Sequence, residues 1–322
     1  MVFEQITLSS LGQGFNCVNY KEILMVKELI KSMRPHQWAK NLLIFGPLLF
    51  ALKLWHLPSV LSSLVVFVAF CVLSGSIYIL NDLIDLEQDR LHPHKCHRPI
   101  ASGRLPPQIA RRIWPILVIV AIMITLIISW TSALIAISYF GLNLAYTLRI
   151  KHLPYLDVLT IATGFLLRVM IGTTAIQVEI SRWLLPCTFA LALYLALGKR
   201  RHELSIYGNQ GTRPVLSRYN IKQLDLALGI VASLTVLAYC GYTLDPSTIR
   251  KFHTPYLTYT IPMIVFGIVR FLQLMERGVH TESPTQELLK DIPSLFNVIL
   301  WVLAVIYILY FRPGSDLLCI TY

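Results

Sequence analysis

Asp82, Asp85, Glu87 and Asp89 crowd together where a long apolar run ends, within SIYILNDLIDLEQDRLHPHK, residues 76–95. Asn81, Asp85 and Asp89 recur every fourth position, and Asp82 and Asp85 lie three apart. On a continuing helix these side chains would share roughly one face. Carboxylates stacked this way repel unless a cation sits among them. Hard oxygen donors at this density suit Mg²⁺, which keeps several waters and commonly binds through a few carboxylates plus substrate phosphates. The plainer alternative is a solvated helix end that stops an apolar helix from sliding inward. The cations that follow, Lys95, Arg98 and Arg104, favour the metal and an anionic ligand.

The elements that must hold these acids are membrane helices. Of 322 residues, 55% are hydrophobic and 14% charged, and the apolar runs approach the length that crosses about 30 Å of hydrocarbon. The expected fold is all-α and polytopic. About nine spans are expected, near 41–56, 58–80, 111–130, 131–148, 153–176, 182–198, 223–243, 254–275 and 293–312. The first is the weakest, because Pro47 and Lys53 interrupt it. No cleavable leader is expected, since Glu4 precedes any basic cluster and no apolar core with a cleavage site follows. Residues 1–40 read as a cytoplasmic and interfacial lead-in, and 82–110 and 199–222 as cytoplasmic active-site loops, in one integral membrane domain spanning 1–322.

With the N-terminus inside, most of the 28 Lys and Arg fall on the cytoplasmic side, as the positive-inside rule demands. The net charge of +11 is therefore first a statement of topology and second a hint of anionic ligands or lipids. Nucleic acid is not expected as a partner, because the basic residues are tied to short loops. The six cysteines are scattered without a CxxC pair and read as packing residues. HPHKCH offers His92, His94, Cys96 and His97, but its spacing matches no usual zinc pattern, so it reads as a loop covering a site.

The same stretch, NDLIDLEQDRLHPHKCHRPIASGRL, resembles the NDxxDxxxD motif and following loop of the UbiA superfamily of intramembrane prenyltransferases. MRPHQWAKNLLIFGPLL, YTLRIKHLPYLDVLTIATGFLLRVMIG, LALGKRRHEL, TRPVLSRY and VRFLQLMERG resemble, in order and spacing, the branch containing decaprenyl-phosphate phosphoribosyltransferase. The resemblance implies nine helices around a cavity open to cytosol and lipid. It implies a reaction in which a polyprenyl phosphate attacks the anomeric carbon of phosphoribosyl diphosphate and pyrophosphate leaves. It further implies a bacterial plasma membrane enzyme whose active site faces the cytoplasm, and a product that in the family commonly leads to arabinose donors for envelope polysaccharides. Asp82, Asp85 and Asp89, supported by Asn81, would hold Mg²⁺ against the diphosphate, with Lys95 and Arg98 as further substrate contacts.

Family members that join an isoprenoid diphosphate to an aromatic ring carry a second Asp-rich motif in a later cytoplasmic loop. Here that loop opens GKRRHEL, with Lys199, Arg200 and Arg201 and only Glu203 as an acid, then Arg213 and Arg218. A donor with a diphosphate and a 5-phosphate, and an acceptor with another phosphate, call for more cations and fewer acids. Lys199 and Arg200, with Glu203 beside them, are the expected contacts; topology alone is the competing explanation. Transfer of a polyprenyl group to an aromatic or other acceptor is the alternative activity. A transporter is disfavoured, because neither paired broken spans nor internal repeats are visible.

The fifth expected span holds Asp157, Gly164 and Arg168 on one helical stripe. Charges at membrane depth usually face the protein interior or a wet cavity. Asp157 could take a second metal, orient a basic residue or bond ribose hydroxyls, and Arg168 could touch substrate or pair with another span. In RPHQWAKN, Lys40 and Asn41 are candidate phosphate or ribose contacts, against a role as interfacial anchors with Trp38. Tyr146 and Lys151 could line the same mouth or be ordinary interfacial residues. HTESPTQELLKD, with Glu282, Glu287 and Asp291, reads as a solvated acidic cover.

Overall fold

A computed structural model describes residues 22–207, 214–276 and 290–311. Its described residues are helices and turns, without strands. Helix α1 covers residues 22–32. A 3₁₀ helix, Pro35–Phe45, leads into the short α2, Gly46–Phe50. Then come α3 (Leu57–Ile84), α4 (Leu86–Leu91), α5 (Pro107–Ile128), α6 (Trp130–Leu148), α7 (Leu156–Ala175) and α8 (Leu184–Tyr207). After these follow α9 (Ile221–Leu244), α10 (Pro246–Phe252), α11 (Ile261–Glu276) and α12 (Ile292–Ile306). Side-chain caps fix several starts: Asn220 accepts from the Lys222 N–H, Asp245 from Ser247 and Asp291 from Ser294, each satisfying an orphan donor of a first turn.

Among the described residues seven helical segments are long and apolar enough to cross a membrane: Leu57–Ile84, Pro107–Ile128, Trp130–Leu148, Leu156–Ala175, Ile221–Leu244, Tyr256–Glu276 and Ile292–Phe311. The chain is an integral membrane protein. Two of the nine expected spans are not in this set. The stretch 41–56 is 3₁₀ helix, α2 and a turn, because Pro47 and the loop to Leu57 break it. The stretch 182–198 is the front of α8, which continues through Lys199, Arg200, Arg201 and Glu203; with those charges inside it, this helix falls short on apolarity rather than on length.

Two compact units emerge, Met1–Leu42 with Leu64–Phe140, and Leu43–Ser63 with Gly141–Tyr322. In lipid, apolar helices gain little by hiding from equally apolar tails, so close packing decides which faces meet. In the first unit Gly75 on α3 lets Met33 approach; a Cβ there would lie 2.8 Å from the Met33 side chain. Ile79, Ile100, Leu105 and Ala110 are fully buried around this contact, which seats the loop after α4. Phe70 and Tyr139 pack with ring centroids 5.1 Å apart.

In the second unit Gly172 on α7 takes the carbonyl of Ile44 directly against its bare Cα, and Gly198 on α8 takes the ring of Phe271. A 3₁₀ run of 11 residues is unusually long. Its C-terminal part keeps its backbone covered by α7, the condition under which irregular backbone is tolerated at membrane depth. A core of Val158, Tyr194, Leu197, Leu216, Leu224 and Phe271 joins α7, α8, α9 and α11.

Candidate active site

In the first unit α3 ends at Ile84, and Asp85 forms a bend before α4. The helical ladder nevertheless carries across, since the Asp85 N–H donates to Asn81 and the Asp89 N–H to the Asp85 carbonyl at 2.9 and 2.8 Å. Asp82 and Asp89 are thereby turned inward, each 2% exposed. Arg98 Nη1 bridges them, 3.1 Å from Asp82 Oδ1 and 2.5 Å from Asp89 Oδ2. Arg34 Nη2 donates to the same Asp82 oxygen at 2.6 Å. Two buried carboxylates thus share two guanidinium groups, the arrangement that keeps buried charge tolerable.

Arg34 is a site residue that the sequence pattern does not mark. It occupies the left-handed region at φ 54°, where non-glycine residues are uncommon and strain often accompanies function. Its guanidinium lies 4.8 Å from the ring centroid of Tyr78. Pro35 disfavours right-handed helical geometry at Arg34, but nothing in the sequence names Asp82 as its partner.

Asp85 and Asn81 are half-buried at the bend. Among the described residues no three His, Cys, Asp or Glu side chains gather as a ready metal cage. The donor chemistry still fits a divalent cation, because hard carboxylate oxygens converge on a point that a cationic nitrogen already fills. Lys95 opens a 3₁₀ turn, Lys95–His97, and its N–H donates to His92 Nδ1 at 3.3 Å, as does that of His94 at 3.1 Å. Burial, and next the Lys95 charge, hold the His92 imidazole below the usual histidine range. Cys96 Sγ donates to the Pro93 carbonyl. Asn41 is 1% exposed and donates to Ser74 Oγ at 3.3 Å and Cys71 Sγ at 3.4 Å, while Lys40 is half-buried in the 3₁₀ helix.

A separate cluster lies in the second unit. Asp157, 0% exposed, accepts from Arg200 Nε at 2.5 Å through Oδ2 and from the Val158 N–H at 2.9 Å through Oδ1. Tyr219 donates its hydroxyl to the same Oδ1. Arg200, 1% exposed, spends its remaining nitrogens on Glu203 Oε2 at 2.6 Å and the Tyr146 hydroxyl at 3.3 Å. Lys199 Nζ stands 3.9 Å from Glu203 Oε1. Tyr155, at φ 65°, donates its N–H to Tyr219 Oη at 2.8 Å. Burial and the bond to Asp157 push the Tyr219 phenol well above the usual tyrosine range.

Thus Tyr146 of α6, Asp157 of α7, and Arg200 and Glu203 of α8 form one hydrogen-bonded group with Lys199 at its edge. Arg168 is not in it; its Nη1 donates to the Gly164 carbonyl at 2.9 Å and its guanidinium sits 5.4 Å from the Phe165 ring centroid. Lys151 lies in the 3₁₀ turn Ile150–His152. Asp291 caps α12 and binds Arg270 through both oxygens, at 3.0 and 2.6 Å; Glu282, Glu287 and Arg213 lie outside the described residues.

Residues 42–286 match the model of the UbiA prenyltransferase family. The chain belongs to that family. Among UbiA relatives, a decaprenyl-phosphate phosphoribosyltransferase of Corynebacterium glutamicum is 30% identical over 88% of this chain and 87% of its own length. Another of that name, from Mycolicibacterium smegmatis, is 30% identical over 89% and 94%. A UbiA homolog from Archaeoglobus fulgidus, solved with DMAPP and Mg²⁺, superposes with a TM-score of 0.65 at 17% identity, covering 88% of this chain and all of that one. The structural likeness makes the UbiA helical fold common to both; the acids of α3 and α4 lie within the matched range.

Proposed function

We propose that this chain transfers a 5-phosphoribosyl group from phosphoribosyl diphosphate to a polyprenyl phosphate of the decaprenyl type. A phosphate oxygen of the lipid forms the new bond to C1 of the ribose. The bond from C1 to the diphosphate breaks, and pyrophosphate departs with the electron pair. The acceptor is already an anion at neutral pH, so no general base is needed, and the work is positioning and electrostatic stabilisation.

Asp82, Asp85 and Asp89, with Asn81 beside them, would hold Mg²⁺. A metal bound there would neutralise charge developing on the leaving diphosphate. Arg98 and Lys95 are the nearby cations for donor phosphates. In the second unit, Asp157 and Glu203 fix Arg200, and Arg200 in turn fixes the Tyr146 hydroxyl as a donor toward phosphoryl or ribose oxygens. Lys199, Lys151, Lys40 and Arg168 supply further positive charge. The basic, most heavily Lys and Arg-bearing side is assigned to the cytoplasm of a bacterial plasma membrane.

The observation that carries this reading is the composition of the α8 end. Where prenyl-to-aromatic members of the family bring acids, this chain brings Lys199, Arg200 and Arg201, and its one acid there, Glu203, is engaged by Arg200 at 2.6 Å. Purified protein with labelled phosphoribosyl diphosphate, Mg²⁺ and polyprenyl phosphate tests it. Label entering the organic phase only when metal and lipid phosphate are both present is the expected result. Absence of label, with product formed instead from a prenyl diphosphate and an aromatic acceptor, would replace it.

A further inference from the structure

Arg98 occupies the one point where the carboxylates of Asp82 and Asp89 converge, 3.1 and 2.5 Å away. A divalent cation shared by those two acids would have to take that same point. Two cations cannot occupy it together, and a guanidinium beside a metal ion would repel it at close range. Arg34 differs, because of the two acids it touches only Asp82, which it reaches from the strained turn before Pro35.

We infer that Arg98 is an exchangeable counter-ion: its guanidinium holds the acid pair closed in the metal-free protein, is displaced by the incoming divalent cation, and is thereby released to the diphosphate of the donor. This inference rests on the proposed metal role of the acids. The fold supports a side-chain exchange rather than a loop movement. Ile100 and Leu105, which flank the turn after Arg98, are both fully buried. The turn is closed by the Leu105 N–H donating to the Pro99 carbonyl at 2.9 Å and the Ser102 N–H to the Arg98 carbonyl at 2.9 Å. The Arg98 side chain itself is 24% exposed, against 2–3% for the two acids, so it has somewhere to go while they do not. A guanidinium that leaves two carboxylates finds in a diphosphate another anionic acceptor, one that its paired nitrogens can grip bidentately.

The exchange has a signature of opposite signs. Arg98→Gln removes the competitor, so Mn²⁺ measured by electron paramagnetic resonance should bind about ten- to a hundredfold more tightly, the worth of charge-assisted bonds. Pyrophosphate added to the Mn²⁺-loaded variant should bind more weakly than to the Mn²⁺-loaded parent. Arg34→Gln should tighten Mn²⁺ binding by less than Arg98→Gln, and Arg98→Lys should fall between Arg98→Gln and the parent, since an ammonium keeps the positive charge between the two acids but sits on a shorter, more strongly hydrated side chain.

Mn²⁺ affinity that is unchanged or weaker in Arg98→Gln, while Asp82→Asn abolishes binding, would overturn the exchange and leave the metal site standing. Equal tightening by Arg34→Gln and Arg98→Gln would reduce the effect to net charge and also overturn it. Mn²⁺ binding that survives both Asp82→Asn and Asp89→Asn would remove the metal site, and the exchange with it.

Discussion

Arg200 Nε lies 2.5 Å from Asp157 Oδ2, with the two side chains 1% and 0% exposed. Each is a buried charge that the other neutralises at contact distance, and Glu203 is a second acid on Arg200 at 2.6 Å. Removing the Asp157 carboxylate leaves Arg200 with one of its two acids, so Asp157→Ala should cost about 3 kcal/mol, the low end for a broken buried pair. Unfolding of the detergent-solubilised protein checks this. Arg200→Lys should not restore stability, because one ammonium cannot serve Asp157, Glu203 and Tyr146 in a fixed fork.

Tyr219 links the same carboxylate to a strained turn. Tyr219→Phe would leave the Tyr155 N–H without its acceptor and Asp157 Oδ1 with the Val158 N–H. A loss of about 1–3 kcal/mol follows from unpaired buried groups. Tyr219→Phe and Asp157→Asn in a double-mutant cycle should couple rather than add; strict additivity would place the tyrosine outside the network.

Substitution at the acid bend separates ligand chemistry from folding. Asp85→Asn keeps shape and removes a hard anionic donor. Turnover should fall below detection while the melting temperature stays near that of the parent. Full activity with the parent's Mg²⁺ dependence would exclude Asp85 from the metal.

Two glycines give a graded packing test. A Cβ on Gly75 meets the flexible Met33 side chain at 2.8 Å, whereas one on Gly172 meets the backbone carbonyl of Ile44. Overpacking costs about 1–3 kcal/mol. Gly172→Ala should lie at or above the top of that range and Gly75→Ala at the bottom, as read by thermal unfolding in micelles.

The pair Arg270 and Asp291 predicts an acid limb of stability. Its bonds to Arg270 hold the Asp291 carboxyl well below the usual carboxylate range. A depressed folded value means the bond's contribution is complete above the ordinary carboxylate pKa of about 4, and is lost as pH falls through that value toward the folded one. Asp291→Asn should lower stability at neutral pH and flatten this acid limb; an unchanged limb would assign it to other acids.

The membrane spans were legible because lipid imposes a crude and strong rule on composition. Runs expected at 58–80, 131–148 and 223–243 became Leu57–Ile84, Trp130–Leu148 and Ile221–Leu244. The rule failed where tertiary contacts replace lipid. Lys199 to Glu203 continue α8 as helix because Arg200 is neutralised from α7, and no hydropathy window sees that partner. The gathering of Tyr146, Asp157, Arg200 and Glu203 was open to expectation from their types. Tyr219 and Arg34 were not, since a tyrosine hydroxyl or a pre-proline arginine acquires its role from a residue tens of positions away.

Gly172 also orders events in time. The Pro35–Phe50 stretch is among the first parts of the described chain to leave the ribosome, yet the surface that receives Ile44 belongs to α7. Until α7 has been translated and inserted, Ile44 lacks the surface that covers its carbonyl, whereas Asn41 can already meet Cys71 and Ser74 on α3. The earliest-made described part of the second unit therefore reaches its seat only after α7 is in place.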